Sequence, residues 1–398
     1  MSKLSKRELN TALALSSVVG LRMFGLFLIM PVFTIYAMRL PGATAFLVGL
    51  AIGIYGFAQA LLQVPVGLAS DRIGRHLTIS IGLGVFFLGS LVAALSSGIT
   101  GIIIGRVLQG MGAVSGASQA LAADHSHDDN RSKVMGIIGV SIGLAFVLAI
   151  ILSAPLAAVA GLPGLFGLTA VLALGAVGLL WAVVPRPRRH RAPEAAHWSA
   201  VLRMVVRPQL AVLNLSVFMM HAMLTAAFVA LPLLLVERTG IALAHQWQLY
   251  LPVMLVSAVV MGAVLRRVTS LAGNMRLVLV CALGLGLALL GFGVDGGGHV
   301  LLWVSALVFF SAFNLLEASL PSLVSRLAPP HLRGAAMGAY ATCQFLGAGV
   351  GGVLGGAVLA HLGQSGVFLA GALLVVVWLP LLWWGRHRVV AAGAPVPA

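Results

Sequence analysis

Residues 46–76 read FLVGLAIGIYGFAQALLQVPVGLASDRIGRH, and this stretch contains the pattern that decides the fold. From residue 46 to residue 69 no charged side chain interrupts an apolar run that is as long as a helix crossing a bilayer. Asp71, Arg72 and Arg75 end the run within a few residues. The stretch therefore predicts one membrane-spanning helix followed by a short charged turn at the membrane surface.

The composition extends this pattern to the whole chain. Of its 398 residues, 60% are apolar and only 8% are Asp, Glu, Lys or Arg, about a third of the charged share in soluble domains. Such a chain cannot cover a core with polar surface, so a water-soluble globular protein is excluded. Barrel strands would alternate apolar and polar residues, whereas the runs here are continuous. The sequence predicts an all-α polytopic membrane protein.

Short polar or charged stretches divide the chain into twelve predicted spanning helices. They cover approximately residues 11–36, 46–69, 77–95, 99–121, 134–158, 162–184, 209–236, 246–267, 275–293, 299–323, 334–360 and 365–385. All but four of the 24 basic residues fall on one side of the alternating loops, and short loops rich in Lys and Arg stay in the cytoplasm. We therefore expect both termini to be cytoplasmic. The net charge of +15 follows from this topology, so nucleic acid is not an expected partner.

A basic stretch and an internal repeat predict two halves. Residues 185–198, PRPRRHRAPEAAHW, separate six predicted helices from six. RSKVMG at 131–136 and RGAAMG at 333–338 open the fifth helix of each half. We predict an N-terminal half over 1–184, a cytoplasmic linker over 185–208 and a C-terminal half over 209–398. Two pseudo-symmetric six-helix bundles around a cavity at the membrane midplane are an architecture typical of secondary transporters.

Three motifs resemble those of the major facilitator superfamily and its twelve-helix drug:proton antiporter group. Residues 67–76, GLASDRIGRH, resemble the family's loop signature G-x-L-x-D-R-x-G-R-[KR], with His76 at the last basic position. Residues 25–32, GLFLIMPV, and 106–113, RVLQGMGA, are similar to signatures of helices 1 and 4. The resemblance implies the MFS fold, alternating access, a role of Arg106 in proton coupling, and a latch between the halves. The latch would comprise Gly67, Asp71, Arg72, Gly74, Arg75 and Asp124.

In the latch, Gly67 is expected to permit close helix approach, and Asp124 to pair with Arg75. One family signature is altered: Ala154–Pro155 stands in helix 5 where antiporters have Gly-Pro, so symport and uniport stay open. The chain also resembles the YajR-type efflux subgroup, whose members carry a soluble domain after the last helix. This sequence ends shortly after its twelfth predicted helix, so we expect no such domain.

Ionisable residues inside the predicted helices are the candidates for proton coupling. Glu317 is the acidic residue well inside a predicted span, and a carboxylate in a low-dielectric site can exchange protons near neutral pH. His221, about halfway through helix 7, titrates near physiological pH and is the second candidate. A structural salt bridge or hydrogen bond to another helix is the alternative for Glu317. For Arg106 the alternative is a structural guanidinium satisfied by backbone carbonyls at helix breaks. A neutral core histidine is the alternative for His221.

Polar side chains at helical spacing predict a substrate cavity. Asn214, Phe218 and His221 share one side of helix 7, and other helices carry similar stripes. Arg22 in helix 1 is a buried positive charge whose expected partner is Glu317 or an anionic substrate, and an unpaired Arg22 would favour anions. The predicted cavity residues are Arg22, Tyr55, Gln59, Gln63, Asn214, Phe218, Asn314, Tyr340 and Gln344.

These features predict a monomeric, proton-coupled exporter of small amphipathic compounds in a bacterial inner membrane. Its partners would be a small-molecule substrate, protons and the lipid bilayer. The alternative is a proton symporter or facilitator that imports a nutrient or an organic anion, which Arg22 and the altered helix 5 signature favour. A membrane sensor would need a soluble output domain, which we do not find in the sequence.

The sequence does not predict an enzyme or a cofactor. It contains no Walker, G-x-S-x-G or H-E-x-x-H motif. Residues 124–129, DHSHDD, resemble a metal cluster in composition, but the polarity of a solvated loop explains them, so no metal is expected.

Overall fold

A computed structural model describes residues 5–127, 130–185, 198–294, 298–329 and 332–392. Within these ranges the regular structure is helical. The α-helices are α1 (Lys6–Ile29), α2 (Phe33–Ala37), α3 (Ala45–Ile73), α4 (Arg75–Leu95), α5 (Ile99–Met111), α6 (Ser115–Asp124), α7 (Arg131–Val183), α8 (Trp198–Val206), α9 (Pro208–Thr239), α10 (Trp247–Arg267), α11 (Leu271–Gly293), α12 (His299–Leu327) and α13 (Arg333–Ala392).

Within the described residues, ten helical stretches are long and apolar enough to cross a membrane, with α5 and α6 together forming one of them. Two of the ten, in α7 and α13, are about twice as long as one crossing requires. Each contains one glycine outside the helical conformation, Gly161 (φ 62°, ψ −174°) and Gly363 (φ 67°, ψ −169°). Only glycine adopts this conformation readily, so the chain bends there and a second span begins. The twelve predicted spans are therefore present.

The internal repeat extends from the sequence to the backbone. Arg131 begins α7 and Arg333 begins α13, and each bending glycine lies equally far along its helix. The two bends fall in the gaps predicted between helices 5 and 6 and between helices 11 and 12. A short polar or glycine-rich gap was therefore sufficient to locate both turns.

The chain divides into two compact units. Unit 1 comprises Met1–Ala43, Leu61–Ala195 and Leu243–Trp247, and unit 2 comprises Thr44–Ala60, Ala196–Ala242 and Gln248–Ala398. The first part of α3 thus belongs to unit 2 and the remainder to unit 1. In unit 1, α1 packs along α7, and α4 packs against α5 and α7. In unit 2, α9 packs along α13, and α11 packs against α12 and α13.

Most of the predicted linker, residues 186–197, lies outside the described residues. Its last part, predicted as linker, forms the amphipathic helix α8. Val201 and Met204 of this helix are buried, whereas Leu202 and Val206 are exposed. The apolar residues of α8 are spaced so that one face of the helix packs against other helices of unit 2, including α13.

Unit 2 has an aromatic core. Phe309 and Phe310 of α12 lie edge to face, with ring centroids 5.4 Å apart. Phe228 of α9 and Tyr250 of α10 pack edge to face against Phe310 at 6.2 and 6.1 Å. Aromatic pairs in this geometry stabilise a fold beyond the area they bury. They fix α9, α10 and α12 relative to one another, and two of these helices carry the candidate site.

Candidate functional site

Three polar side chains meet inside unit 2, one from each of α9, α12 and α13. The Nε2 atom of His221 lies 2.8 Å from Nε2 of Gln344, and the same amide nitrogen lies 3.4 Å from Oε1 of Glu317. The imidazole Nε2 is also 3.7 Å from Oε2 of Glu317. The structure therefore brings together two residues predicted for proton coupling and one predicted for the cavity.

Glycines on α13 allow α9 to approach closely enough for this contact. A Cβ added at Gly347 would collide with the backbone of Phe218, and one added at Gly351 with the backbone of Ala222. Small residues four positions apart are a common way for spanning helices to pack closely. The spacing is readable in the sequence, although neither glycine was among the predicted site residues.

His221 is held in one orientation. Its Nδ1 lies 3.1 Å from the carbonyl oxygen of Val217, one turn earlier in α9. The ring packs edge to face against Phe313 with centroids 5.7 Å apart. The side chain is 11% exposed. These contacts direct Nε2, and not Nδ1, toward Gln344 and Glu317.

Glu317 combines an accessible side chain with one enclosed oxygen. The side chain is 41% exposed, yet Oε2 is buried and has no hydrogen-bond partner within the described residues. The hydroxyl of Tyr340 is likewise buried and has no hydrogen-bond partner within the described residues. A carboxylate with one unpaired oxygen beside an imidazole can take up and release a proton. The chemistry available here is therefore proton exchange.

The other residues predicted for the cavity in unit 2 are more enclosed. Asn314 donates from Nδ2 to Oγ of Ser257 at 2.7 Å. Phe218 is half-buried, and Tyr55 and Gln59, in the first part of α3, are buried. All four of these side chains lie within unit 2.

Asn214 differs from its predicted place on the cavity. It is buried, and its Nδ2 donates to the carbonyl oxygens of Met204 at 3.2 Å and Val205 at 3.3 Å. These carbonyls are at the end of α8, where a helix leaves acceptors without helical donors. Asn214 therefore caps α8, because the linker residues before α9 form a helix that needs a cap.

Arg22 of α1 also differs from its predicted exposure on a cavity. It is 2% exposed, and Nη2 donates to the carbonyl oxygen of Gly112 at 3.3 Å. The guanidinium carbon lies 5.2 Å from the ring centroid of Phe86. Gly112 lies between α5 and α6, where the helix is broken and carbonyls lack helical donors. The break thus gives Arg22 a buried acceptor.

Arg106 belongs to a second buried network in unit 1. Its Nη1 donates to Oε1 of Gln109 at 2.9 Å, and Nε2 of Gln109 donates to Oγ of Ser90 at 2.8 Å. Ser90 donates in turn to the carbonyl oxygen of Phe86 at 2.7 Å. A guanidinium does not deprotonate in proteins, so Arg106 can influence coupling only through its fixed charge. Gln63, predicted for the cavity, is buried in the unit 1 part of α3.

Of the predicted latch residues, Asp71, Arg75 and Asp124 meet where α3 ends and α4 begins. Gly74, with φ 97°, precedes Arg75, the first residue of α4. The Arg75 guanidinium pairs with Asp71, and its Nε lies 3.2 Å from Oδ2 of Asp124. Arg72 is exposed. The ion pair between Arg75 and Asp124 is thus present within unit 1.

Two positions of the loop signature differ from the prediction. A Cβ added at Gly67 would meet nothing within 4 Å, so the prediction that Gly67 permits close helix approach is wrong: α6 passes near enough that a Cβ on Gly116 would lie 4.0 Å from the Gly67 Cα, but this spacing leaves room for a side chain at Gly67. His76 is buried, with Nε2 3.0 Å from the carbonyl oxygen of Val184. Its ring also packs against Trp181 at 5.8 Å. The last basic position of the signature is therefore part of the packing of unit 1.

The sequence prediction missed Glu8. Ser5 and Glu8 form a capping box at the start of α1, with the Glu8 nitrogen donating to Ser5 Oγ at 3.1 Å. Oε1 of Glu8 accepts from the His127 nitrogen at 3.0 Å, and Oε2 accepts from Asn130 Nδ2 at 3.3 Å. The S-x-x-E spacing at residues 5–8 is the signal that could have identified it. Glu8 ties the start of α1 to the loop that follows Asp124.

The loop at residues 124–129, whose composition resembles a metal cluster, is only partly described. Nδ1 of His125 lies 3.0 Å from the carbonyl oxygen of Leu121, so this ring contacts the end of α6. Asp128 and Asp129 lie outside the described residues. In the part of the chain that the structure describes, no group of three or more His, Cys, Asp or Glu side chains is placed to hold a metal ion.

Comparison with known proteins identifies a family. The family model of the Major Facilitator Superfamily matches residues 15–352. The inner membrane transport protein YajR of Escherichia coli (strain K12) is 40% identical over 382 residues, which are 95% of this chain and 83% of that protein. An uncharacterized transporter of Buchnera aphidicola subsp. Baizongia pistaciae is 32% identical over 368 residues, or 91% of this chain and 93% of that one.

Solved structures show the same fold at low sequence identity. A bacterial homolog of the human lysosomal transporter Spinster, in an inward-facing and occupied conformation, has a TM-score of 0.78 at 13% identity and covers 100% of both chains. The human organic anion transporter MFSD10 has a TM-score of 0.72 at 20% identity and covers 95% of this chain and 100% of its own. At these identities the likeness concerns the fold alone.

Proposed function

The chain belongs to the Major Facilitator Superfamily of transporters, and on that premise we propose that it exports small amphipathic compounds in exchange for protons. It is a multi-pass membrane transporter of small molecules and not an enzyme. The identity of 40% with a bacterial inner membrane transport protein supports a location in the inner membrane. The one-sided distribution of Lys and Arg supports cytoplasmic termini. We propose that the protein functions as a monomer.

The contact between Glu317 and His221 carries this proposal. Both groups can bind a proton, and both lie inside membrane-spanning helices of unit 2. A site that holds either a proton or a positively polarised substrate cannot hold both equally well. Each ligand therefore biases the conformational equilibrium in the direction that releases the other, which is the requirement for exchange.

The remaining candidates have supporting roles in this proposal. Substrate would contact the cavity residues near the Glu317 carboxylate, among which Asn314 lies on the same helix and Phe218 and Tyr340 lie on α9 and α13. The pairs of Arg75 with Asp71 and Asp124 would latch one conformational state at the membrane surface. Arg106 would hold a fixed positive charge within unit 1.

Import of a nutrient or an organic anion with protons is the second candidate. It is favoured by Ala154–Pro155, which stands in α7 where antiporters carry Gly-Pro. The buried contact of Arg22 with Gly112 weakens the other argument for it, because that guanidinium already has an acceptor inside unit 1.

The test measures substrate-induced proton movement in everted membrane vesicles with an acidified lumen and a pH-sensitive dye. Cationic, neutral and anionic compounds are compared on the wild type, on Glu317→Gln and on Glu237→Gln. Glu237 is an exposed carboxylate at the end of α9 and is the matched control. We expect cationic amphipathic compounds to release protons in the wild type and the control, and not in Glu317→Gln.

Proton movement that responds to anions alone would favour the import candidate. Movement that persists at the wild-type rate in Glu317→Gln would remove Glu317 from the coupling mechanism.

A further inference from the structure

We propose that the side-chain amide of Gln344 gates proton transfer between Glu317 and His221. In the observed state the amide occupies the one imidazole nitrogen that can accept a proton. This inference rests on the proposed function, in which Glu317 and His221 carry the coupling proton. It makes Gln344, predicted as a substrate contact, a positioning residue for the proton.

Counting donors and acceptors around His221 fixes the role of each nitrogen. The carbonyl oxygen of Val217 can only accept, so Nδ1 of His221, 3.1 Å away, carries a hydrogen. A neutral imidazole has one donor and one acceptor, so Nε2 is then the acceptor. The Gln344 amide nitrogen at 2.8 Å must therefore donate to Nε2.

The same amide nitrogen also contacts Glu317. It has two hydrogens, and the second can be donated to Oε1 of Glu317 at 3.4 Å. The observed orientation of Gln344 is thus satisfied when His221 is neutral and Oε1 of Glu317 is available as an acceptor. The reverse orientation would place the amide oxygen against Nε2, which requires that Nε2 carry a hydrogen.

Protonation of His221 at Nε2 consequently requires the Gln344 amide to rotate by about 180°, so that its oxygen replaces its nitrogen beside Nε2. In the transfer step, the bond between the proton and Oε2 of Glu317 breaks and a bond to Nε2 of His221 forms, leaving a carboxylate and an imidazolium. The distance of 3.7 Å between these atoms is longer than a hydrogen bond, so the helices or side chains must also close slightly. After transfer, the imidazolium donates to the amide oxygen of Gln344.

The surroundings contain an unpartnered hydroxyl one helical turn from Gln344 and few competing charges. Tyr340 lies one helical turn before Gln344 on α13, and its buried hydroxyl has no hydrogen-bond partner in the described structure. On the turns of α12 and α13 that carry the contacts of His221, the ionisable groups are Glu317, Tyr340 and Cys343; the nearest others on these helices, Arg326 and Arg333, are at least nine residues along the chain from Glu317 or Gln344. The first part of α3, which packs on α13 through Gly56, adds Tyr55. Glu317 is the one carboxyl group among these.

The test removes the amide without removing its bulk. Gln344→Met is compared with the wild type and with Gln364→Met. Gln364 is the matched control, because it also lies on α13 and donates to a carboxylate, Oε2 of Glu237 at 2.8 Å, without an imidazole. The first measurement is the ¹⁵N NMR spectrum of the histidine side chains in lipid nanodiscs as a function of pH. The His221 signals are assigned by their loss in His221→Gln.

We expect wild-type His221 to be the tautomer with hydrogen on Nδ1 at neutral pH. In Gln344→Met the freed Nε2 should take a proton at a pH higher by about one unit, the equivalent of one lost hydrogen bond. The pH profile of substrate-induced proton release should move in the same direction by a similar amount. Gln364→Met should match the wild type in both measurements.

The gate is overturned if wild-type His221 carries its hydrogen on Nε2, a result that needs no variant. It is also overturned if Gln344→Met folds and titrates His221 like the wild type. The proposed function has a separate failure: no compound moves protons in wild-type vesicles. The NMR and vesicle results therefore distinguish an error in the gate from an error in the function.

Discussion

Units 1 and 2 share a backbone design and differ in the charges they bury. Each contains a long helix that begins at an arginine, Arg131 or Arg333, and bends at a glycine, Gly161 or Gly363. Unit 1 encloses the guanidinium of Arg106 and an imidazole, that of His76, which contacts a backbone carbonyl, whereas unit 2 encloses an imidazole beside a carboxylate. The repeated pattern thus determines the course of the chain and leaves the buried chemistry free to differ.

Arg106 of unit 1 carries a fixed charge, whereas the charges of His221 and Glu317 in unit 2 can change. A guanidinium stays protonated over the whole physiological pH range, so a contact such as that of Arg106 with Gln109 is independent of pH. His221 and Glu317 can change charge, so their contact depends on pH. We infer that the buried polar groups of unit 1 maintain structure and that those of unit 2 perform coupling. The three predictions that follow test this division.

The largest effect on stability is expected in unit 1. Gln109→Leu removes an acceptor from the buried Arg106 and a donor from Ser90. We expect it to lower the free energy of unfolding by about 3 kcal/mol, because a buried charged group loses a hydrogen bond. Denaturant titration in detergent measures this, with Gln364→Leu as the control at about 0.5 kcal/mol.

The same titration on Glu317→Gln sharpens the comparison. A loss of less than about 1 kcal/mol is expected there, since the side chain is 41% exposed and the substitution keeps its shape. If Glu317→Gln destabilises the protein as much as Gln109→Leu, the division between structural and coupling charges fails.

An intermediate and equal effect is expected at the two bends. Gly161→Ala and Gly363→Ala place a Cβ on backbone with φ of 62° and 67° and ψ near 180°, a conformation in which other residues are strained. Each should lower the free energy of unfolding by about 2 kcal/mol. Gly167→Ala, at a helical site of α7 with nothing within 4 Å of the added Cβ, is the control and should be neutral or slightly stabilising. Unequal losses at the two bends would show that the repeat is not equivalent in the two units.

The smallest effect on stability is expected at the latch. Arg75→Gln removes pairs with Asp71 and Asp124 whose side chains are partly exposed, so the expected loss is about 0.5 kcal/mol. Transport in vesicles should nevertheless change several-fold, as it should in Asp124→Asn, and the double variant should add nothing further. Arg203→Gln on α8 is the control and should leave transport unchanged. Wild-type transport in Arg75→Gln would restrict this ion pair to a structural role in unit 1.

Local signals were sufficient for the spans and for several candidate residues. The apolar runs placed the spanning helices, and the gaps in them located the bends at Gly161 and Gly363. The resemblance of the charged turn after α3 to a family signature predicted the latch, with Asp124 at the end of the fourth span as the expected partner of Arg75. The rarity of acidic residues inside spans singled out Glu317. The S-x-x-E spacing around Glu8 was an equally local signal that was not used.

Long-range neighbours explain the predictions that differ from the structure. Asn214 caps α8 because the residues before α9 form a helix, and Arg22 contacts Gly112 because the fourth span is broken there. Neither the cap nor the break is evident in the hydrophobic pattern. Gly67 matched a family signature, yet a Cβ added there would meet nothing within 4 Å.

The sequence by itself determined that this protein crosses a membrane many times and that its chain repeats a six-helix plan. Bilayer thickness imposes the length of each apolar run, so this information is present residue by residue. Only the tertiary structure decided which polar groups face one another. His221 and Gln344 are 123 positions apart and lie in contact at 2.8 Å because glycines let α9 and α13 approach, and such a partner depends on three-dimensional packing that local sequence does not encode.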